Sequence, residues 1–360
     1  MGIDGLWTVL RSASVVRSYA EVFVKEGFAG GRPLRVGVDA EGVMRAAQAV
    51  FNKRGHVQHG MNPELWALMC LMCRFARQPA VFVFVFDGPS KVGVKRGTRV
   101  FTQPLWLVEY FKQMIDLFGF HHYNAAGEGE VELCHLQKVG ALDVIFTEDS
   151  DVWVYGAMQV IRRLPSNSSL NELAVYSGAR ICQKLDLSQP GFLLFALLSG
   201  GDYDQRGIQG IGPTVAYALA RTSLADSLLQ LVSKGRAYYM AHIASWRLDL
   251  VEELVTNRSG HLRKRERAVA AKIPKDFPRL DLVWQYVYPT TSVVDTQNYV
   301  FEARKLDLHR ILRSCQLWFG LQTCAGMYKR CLPIAQAYYV KQVSRHVCLR
   351  EGSIDVHAAP

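Results

Sequence analysis

Three short, mostly apolar runs in this chain each deliver carboxylates at or just past their ends, and that device constrains the fold more than any other feature. Leu34 to Asp39 and Ala80 to Asp87 are of strand length and end in an Asp followed by small or turn-forming residues. Asp143 to Thr147 repeats the pattern and delivers Asp149 and Asp151 just beyond its end. Runs of this kind read as strands buried on both faces, which calls for a parallel sheet covered by helices. Pro63 to Arg77 carries a nearly all-apolar helical stretch between the first two runs, so the first hundred residues read as β-α-β. Ligands of open α/β sheets bind outside the carboxyl ends of the strands, so acids far apart in sequence can converge there.

From Pro104 onward Leu105, Val108, Phe111, Ile115 and Phe118 follow helical spacing until Gly119 stops it. Past Pro190 the chain reads mainly helical, with a Gly-rich turn from Gly207 to Gly212 between two helices. The pattern weakens around Pro289 to Asn298, and the residues beyond it, with Cys315, Cys324 and Cys331, read as an appended element. A length of 360 residues with 49% apolar content suits one large α/β core plus an appendage. Eight scattered cysteines look like reduced thiols. Cys70 and Cys73 form a C-x-x-C without a second pair at zinc spacing, so a core helix is the better reading than a metal site.

The 42 Lys and Arg exceed the 32 Asp and Glu, and a formal charge of +10 favours a polyanionic partner, nucleic acid or an acidic membrane surface. No apolar run approaches the roughly 18 residues of a membrane span. The N-terminus lacks a charged leader with an apolar core, and Leu6 stands where myristoylation wants Ser or Thr. A soluble intracellular protein is expected.

Asp39, Asp87, Glu128, Glu130, Asp149, Asp151 and Asp202 occupy strand ends, a Gly-flanked helix start and a Gly-Gly-Asp-Tyr turn. Carboxylates gathered without a cation repel and take up protons, whereas two hard divalent ions hold them ionised and also bind phosphate oxygens. Magnesium takes only one or two direct carboxylates and keeps several waters, so the other acids would act through water. A turn or helix cap explains any one Asp alone, but not seven in this order. No Ser-His-Asp or Cys-His arrangement competes. His121 and His122 flank a strand before the paired Glu residues and do not suit an oxygen-rich magnesium site.

The wording of these motifs resembles the XPG/flap-endonuclease family over residues 1 to 285. The matching pieces are Met-Gly-Ile-Asp-Gly-Leu-Trp at the N-terminus, Val-Gly-Val-Asp-Ala at 36 to 40 and Val-Phe-Asp-Gly-Pro-Ser at 85 to 90. Ala-Gly-Glu-Gly-Glu-Val-Glu at 126 to 132, Thr-Glu-Asp-Ser-Asp at 147 to 151, Gly-Gly-Asp-Tyr at 200 to 203 and Gly-Ile-Gln-Gly-Ile-Gly-Pro at 207 to 213 complete the series. The resemblance implies an α/β, PIN-like nuclease core with a central, mostly parallel sheet flanked by helices, plus a helix-two-turn-helix. It implies two-metal phosphodiester hydrolysis in which all seven acids are catalytic and metal-binding, the ions being Mg2+ roughly 4 Å apart with Mn2+ able to substitute. It divides the chain into an N-terminal nuclease region, 1-100, and an internal region with the helix-two-turn-helix, 101-285, forming one core. A C-terminal extension, 286-360, follows, with Val340 to Asp355 as the start of a diverged or truncated chromodomain-like element.

Lys91, Lys95, Arg96 and Arg99 follow Asp87 and resemble the family's basic gateway, with Lys95 and Arg96 counted beside the acids in catalysis. Gly2, Gly207, Gly210, Gly212 and Thr214 are the further DNA contacts that the resemblance implies, and the turn would also hold K+ on main-chain carbonyls. Glycines there permit close backbone approach, and exposed N–H groups at the start of the helix Pro213 to Arg221 suit a phosphate. Arg258, Arg263, Lys264, Arg265, Arg267, Lys272 and Lys275 form a second basic run that suits a duplex track, a nuclear address or a solvated helix face equally well. Two departures from the family stand out. Gly129, where Ala is usual, is expected to loosen its helix start by up to about 1 kcal/mol, and Glu41-Gly42-Val43-Met44-Arg45 offers no aromatic platform for a base.

Too few residues separate Asp87 from Pro104 for the helical arch of flap enzymes, and the layout is similar to the junction-resolving branch. The leading expectation is a nuclear endonuclease of repair and recombination acting on branched double-stranded DNA, both Holliday junctions and 5′ flaps. The alternatives are a 5′ flap endonuclease or 5′ exonuclease, and a non-catalytic DNA-binding scaffold. One acid cluster per chain and two cuts per junction imply a monomer in solution and two chains on a four-way junction.

Overall fold

The computed structural model describes residues 2–25, 32–52, 62–91, 94–95, 98–99, 103–164, 171–292 and 300–320. Seven strands form one sheet: β1 (Val15–Ser18), β2 (Leu34–Asp39), β3 (Ala80–Phe86), β4 (His121–Asn124), β5 (Val144–Phe146), β6 (Gln159–Arg163) and β7 (Glu172–Ser177). They lie in the order β1-β7-β6-β5-β2-β3-β4. Pairing is parallel from β4 through β3, β2 and β5 to β6, and antiparallel where β7 joins β6 and β1. The mostly parallel sheet is therefore present, and its antiparallel edge is additional. That edge escaped the sequence because β6 offers only Val160 and Ile161 between Gln159 and two arginines, too short an apolar signal to register as a strand.

Burial explains the central strands. All seven residues of β3 are buried, and its side chains alternate: Phe82, Phe84 and Phe86 enter one apolar cluster, Val83 and Val85 the other. On the phenylalanine face Phe75 stacks on Phe82 with centroids 4.3 Å apart and meets Phe146 edge-on at 5.3 Å. Phe75 arrives there because the helix Pro63–Ala76, with proline in its first turn, buries Leu65, Leu68, Met69, Met72 and Phe75 at helical spacing. A second helix, Ala40–Asn52, starts directly from the end of β2. The expected helix after Pro104 spans Leu105–Leu117, and Gly119 follows it with φ +68°.

The opposite face is covered by the helices Gly129–Lys138 and Gln189–Ser199 and by Trp153. Helices Pro213–Ala220, Ser223–Ser233 and Arg236–Thr256 extend that cluster. Helix Leu308–Phe319 returns to the phenylalanine face, burying Ile311, Cys315, Trp318 and Phe319, and Asn62 Nδ2 donates to the Trp318 carbonyl at 2.8 Å. The C-x-x-C lies on a core-packing helix as expected, with its two thiols at the margin of the apolar cluster. Cys70 is exposed and Cys73 half-buried, because Met69 and Met72 take the inward positions. Cys324, Cys331 and the segment Val340 to Asp355 lie outside the described residues.

Phe75 joins three aromatic partners beneath the sheet. Phe75→Ala is expected to cost about 3–5 kcal/mol, read from the shift of the denaturant midpoint at unchanged m-value.

Candidate metal centre and nucleic-acid interface

Parallel pairing aligns the strand ends. Asp39 closes β2 opposite Val85, Asp87 follows β3 immediately, and Asp149 lies just past β5. Glu128 is the N-cap residue of the helix Gly129–Lys138 that follows β4, and Glu130 sits in its first turn. Ligand oxygens of Glu130, Asp151 and Asp202 lie within 4.8 Å of one another, and all three residues are buried. Asp39 and Asp149 are electrostatic neighbours of Glu130, and Asp39 is also one of Asp87. All seven acids expected from the sequence thus stand at one end of the sheet.

Short backbone bonds fix these carboxylates. Gly42 N–H donates to Asp39 Oδ1 at 2.8 Å, and Gly129 N–H donates to Asp87 Oδ1 at 2.8 Å. Thr147 Oγ1 donates to Asp39 Oδ2 at 3.3 Å and accepts from Asp149 N–H, while Asp149 Oδ1 accepts from Asp151 N–H at 3.1 Å. Tyr203 OH donates to Glu128 Oε2 at 2.8 Å, and Tyr155 OH lies 2.8 Å from Tyr203 OH. Thr147 and this tyrosine pair are positioning groups that the sequence did not single out; a hydroxyl two residues before Asp149 was the available signal. Gly129 has a role besides its local cost to the helix. It occupies the first helical position, donates to Asp87, and a Cβ there would come 3.2 Å from the Val85 carbonyl and 3.3 Å from Asp87 Oδ1. Glycine there makes room for the acid.

Gly2 also belongs to this centre. Its φ is +85°, and an added Cβ would fall 2.3 Å from Asp149 Oδ1 and 2.4 Å from Ser150 Oγ, so only glycine lets the N-terminal segment press against the acids. Ile3 N–H donates to Ser150 Oγ at 2.8 Å, and a Cβ on Gly5 would meet the Pro213 ring at 2.2 Å. Residues 2–5 therefore span the distance between the acids and the Gly-rich turn.

Of the basic gateway, Lys91 reaches the site, its Nζ 3.7 Å from Asp87 Oδ2. Val94–Lys95 pairs with Thr98–Arg99 in a two-residue antiparallel ladder. Arg96 and the side chains of Lys95 and Arg99 lie outside the described residues. Gly207, Gly210 and Gly212 form the turn between helices Gln189–Ser199 and Pro213–Ala220, with Gly212 as N-cap and Thr214 in the first turn. Arg263 and Lys264 of the second basic run line one hollow of about 400 Å³ with Thr214 and Arg221, which brings that run to the turn. His121 is engaged elsewhere, its Nε2 2.6 Å from the Glu302 carbonyl.

Glu41 is an acid of this end that the sequence reading passed over. It lies in the first turn of the helix that starts from Asp39 and is 8% exposed. Burial, with repulsion from Asp87, raises its carboxyl to about 7. Burial likewise raises Asp39 to about 6, with repulsion from Glu130 and Asp87 adding to it, and burial with repulsion from Glu130 and Asp202 raises Asp149 well above its ordinary value. The donors are all oxygens, mutually repelling and, apart from half-buried Asp87, buried, which is the set a hard divalent cation fits.

Asp39 and Glu41 are held above their ordinary values of 3.8 and 4.5, so they favour the fold while protonated. That contribution is complete below those ordinary values and is lost as pH rises through about 6 and about 7. In EDTA the melting temperature should therefore fall between pH 5 and pH 8, and Mg2+ should restore most of the loss at the upper end. A flat profile in EDTA contradicts this.

The XPG I-region family matches residues 119–202. The chain is similar to flap endonuclease 1 of Methanocaldococcus jannaschii, 30% identical over 124 residues, which are 34% of this chain and 37% of that protein. It is also similar to flap endonuclease GEN homolog 1 of Homo sapiens, 27% identical over 248 residues, 64% of this chain and 26% of that protein. The chain spans well under half the length of these curated relatives. Among solved structures it is similar to the eukaryotic junction-resolving enzyme GEN-1 binding with cesium, with a TM-score of 0.77 at 25% identity over 93% of this chain and 78% of that one. The catalytic core of Rad2, at 17% identity and a TM-score of 0.62 over 93% of this chain and 99% of that one, shares the fold. The likeness in the motifs thus extends through the sheet and its helices: the chain carries an XPG I-region over 119–202 and is similar in sequence and fold to flap endonuclease 1 and to the junction-resolving enzyme GEN-1.

Proposed function

We propose that this chain is a Mg2+-dependent, structure-selective endonuclease that hydrolyses phosphodiester bonds at branched DNA, Holliday junctions and 5′ flaps, in the nucleus. The observation that carries this reading is the convergence of the seven acids at the strand ends, with three of them within 4.8 Å. Asp39, Asp87, Glu128, Glu130, Asp149, Asp151 and Asp202 would hold two divalent ions, Mn2+ being able to replace Mg2+. Bound there, such ions supply charge stabilisation for a phosphate and an acidified water. The chain does the rest: backbone N–H groups of Gly42 and Gly129 fix the carboxylates, and Lys91 sets a cation beside Asp87 where a phosphate would sit. Lys95 and Arg96, which follow in sequence, are proposed to continue that role.

The turn Gly207 to Gly212, Thr214 and the adjoining Arg263 and Lys264 are proposed to grip duplex backbone, with K+ at the turn. GEN1 solved with product DNA, Mg2+ and Mn2+ shares this fold, which supports the same ligand classes here. A complete acid set argues against a scaffold without activity. The small number of residues between Asp87 and Pro104, among which 94–95 pair with 98–99, favours branched duplexes over threaded 5′ ends. We further propose a monomer in solution and two chains on a four-way junction, since one acid cluster of this kind is found among the described residues.

Incubating the protein and Mg2+ with labelled junction, flap and linear duplex in parallel tests the reading. Cleavage of junction and flap but not of linear duplex is expected, and no cleavage of any substrate sinks it. Asp149→Asn should lower cleavage by several orders of magnitude while binding in Ca2+ persists, and undiminished turnover in EDTA would contradict metal dependence. For the turn, Gly212→Val is the informative change. Gly210 has φ +95° and would strain with any side chain, whereas a Cβ on Gly212 meets nothing within 4 Å. Duplex affinity should fall without loss of the single-turnover rate at saturating enzyme, and a rate that saturation fails to restore would assign the turn to the chemistry.

A further inference from the structure

We propose that Glu41 is a further acidic residue of the metal site, adding its carboxylate to a divalent ion held on the Asp39–Asp87 side. The inference rests on the metal-dependent reading above and deepens it. Position 41 lies where the sequence shows no base-stacking aromatic, so the segment after β2 brings charge to the site rather than a ring.

The argument begins with placement. Helix Ala40–Asn52 follows β2 with no loop between them, so a side chain two residues past Asp39 stays at the acid-bearing end of the sheet. An acid in a first helical turn is commonly there for the helix dipole, but such a group stays in water. Glu41 is 92% buried by contrast, since its exposure is 8%, and its Oε2 has no hydrogen-bond partner among the described residues. An acceptor without a donor in a buried position is costly, and a cation removes the cost. The neighbours say which charge is missing: Asp87 and Asp39 face it as anions, while Lys91 and the exposed Arg45 are the cations near it. Lys91 already pairs with Asp87 at 3.7 Å. Asp39 and Asp87 each give one oxygen to a backbone N–H at 2.8 Å, whereas the Oε2 of Glu41 is left for a ligand.

The test is Mn2+ binding to the DNA-free protein, followed by electron paramagnetic resonance and calorimetry, with metal-free melting temperatures measured alongside. Glu41→Gln keeps the shape and removes the charge. It should weaken the affected Mn2+ about ten- to a hundredfold and raise the melting temperature of the metal-free protein at pH 8, because repulsion with Asp39 and Asp87 is relieved. Glu41→Asp, with the charge on a shorter arm, should regain part of the affinity. Equal Mn2+ affinity in wild type and Glu41→Gln overturns the proposal and leaves the metal-site reading standing. No Mn2+ bound by wild type overturns both. Weaker binding with a lower metal-free melting temperature that Glu41→Asp does not repair makes Glu41 a packing residue and overturns the proposal.

Discussion

Repulsion among buried carboxylates is the interaction on which the rest of this structure depends. Oxygens of Glu130, Asp151 and Asp202 lie within 4.8 Å of one another, and a pair of unit charges at that range repels by about 3–4 kcal/mol at an effective dielectric of about 20. Three such pairs approach the whole stability of a typical domain, about 5–15 kcal/mol. A bound cation would offset that repulsion, and the cluster keeps its place only on a scaffold stiff enough to resist its spreading. Stacked phenylalanines under β2, β3 and β5 and a strand buried along its full length supply that stiffness.

The same logic explains how the acids are tethered. Asp39 and Asp87 accept from backbone N–H groups at helix starts, where partial positive charge is already present. Glu128 accepts from Tyr203, itself linked to Tyr155. Glu132, one turn into the same helix and fully buried, accepts from the Ser292 N–H and ties residues 291–292 to the back of the site. Glu148 stands among the acids in sequence yet faces away from them, because Arg162 and Arg163 on β6 hold it. Arg162 also lies 4.2 Å from the Trp7 ring, and Trp7 Nε1 donates to the Glu148 carbonyl at 2.9 Å.

That bond network anchors the N-terminal segment, which then bridges two regions of unlike chemistry. Gly2 abuts Asp149, Asp4 N–H donates to the Gly200 carbonyl, and Gly5 fits against Pro213. A reacting phosphate and a gripped duplex would thus be held at a spacing set by four residues of main chain, and neither end can shift without disturbing the other.

Much of this was written in the sequence. Continuous apolar runs ending in Asp define buried parallel strands, because a strand covered on both faces needs no polar alternation, and the topology then sends their ends to one edge. That is why Asp39, Asp87, Asp149 and Asp151 were legible as a converging set, whereas Glu128, Glu130, Asp202 and the turn at Gly207 to Gly212 were read from their Gly-rich contexts and the family resemblance. The antiparallel edge was not, since β6 has two apolar residues and owes its place to pairing with β5 and β7 rather than to its own pattern. Nor was the role of Gly129, whose cost as a helix residue is local while its benefit, room for Asp87, is set by a strand forty residues away. Glu41 shows the limit most clearly. Sequence supplies an acid in a first helical turn, but whether it faces water or other carboxylates depends on how that helix packs against the sheet, and only tertiary structure decides burial.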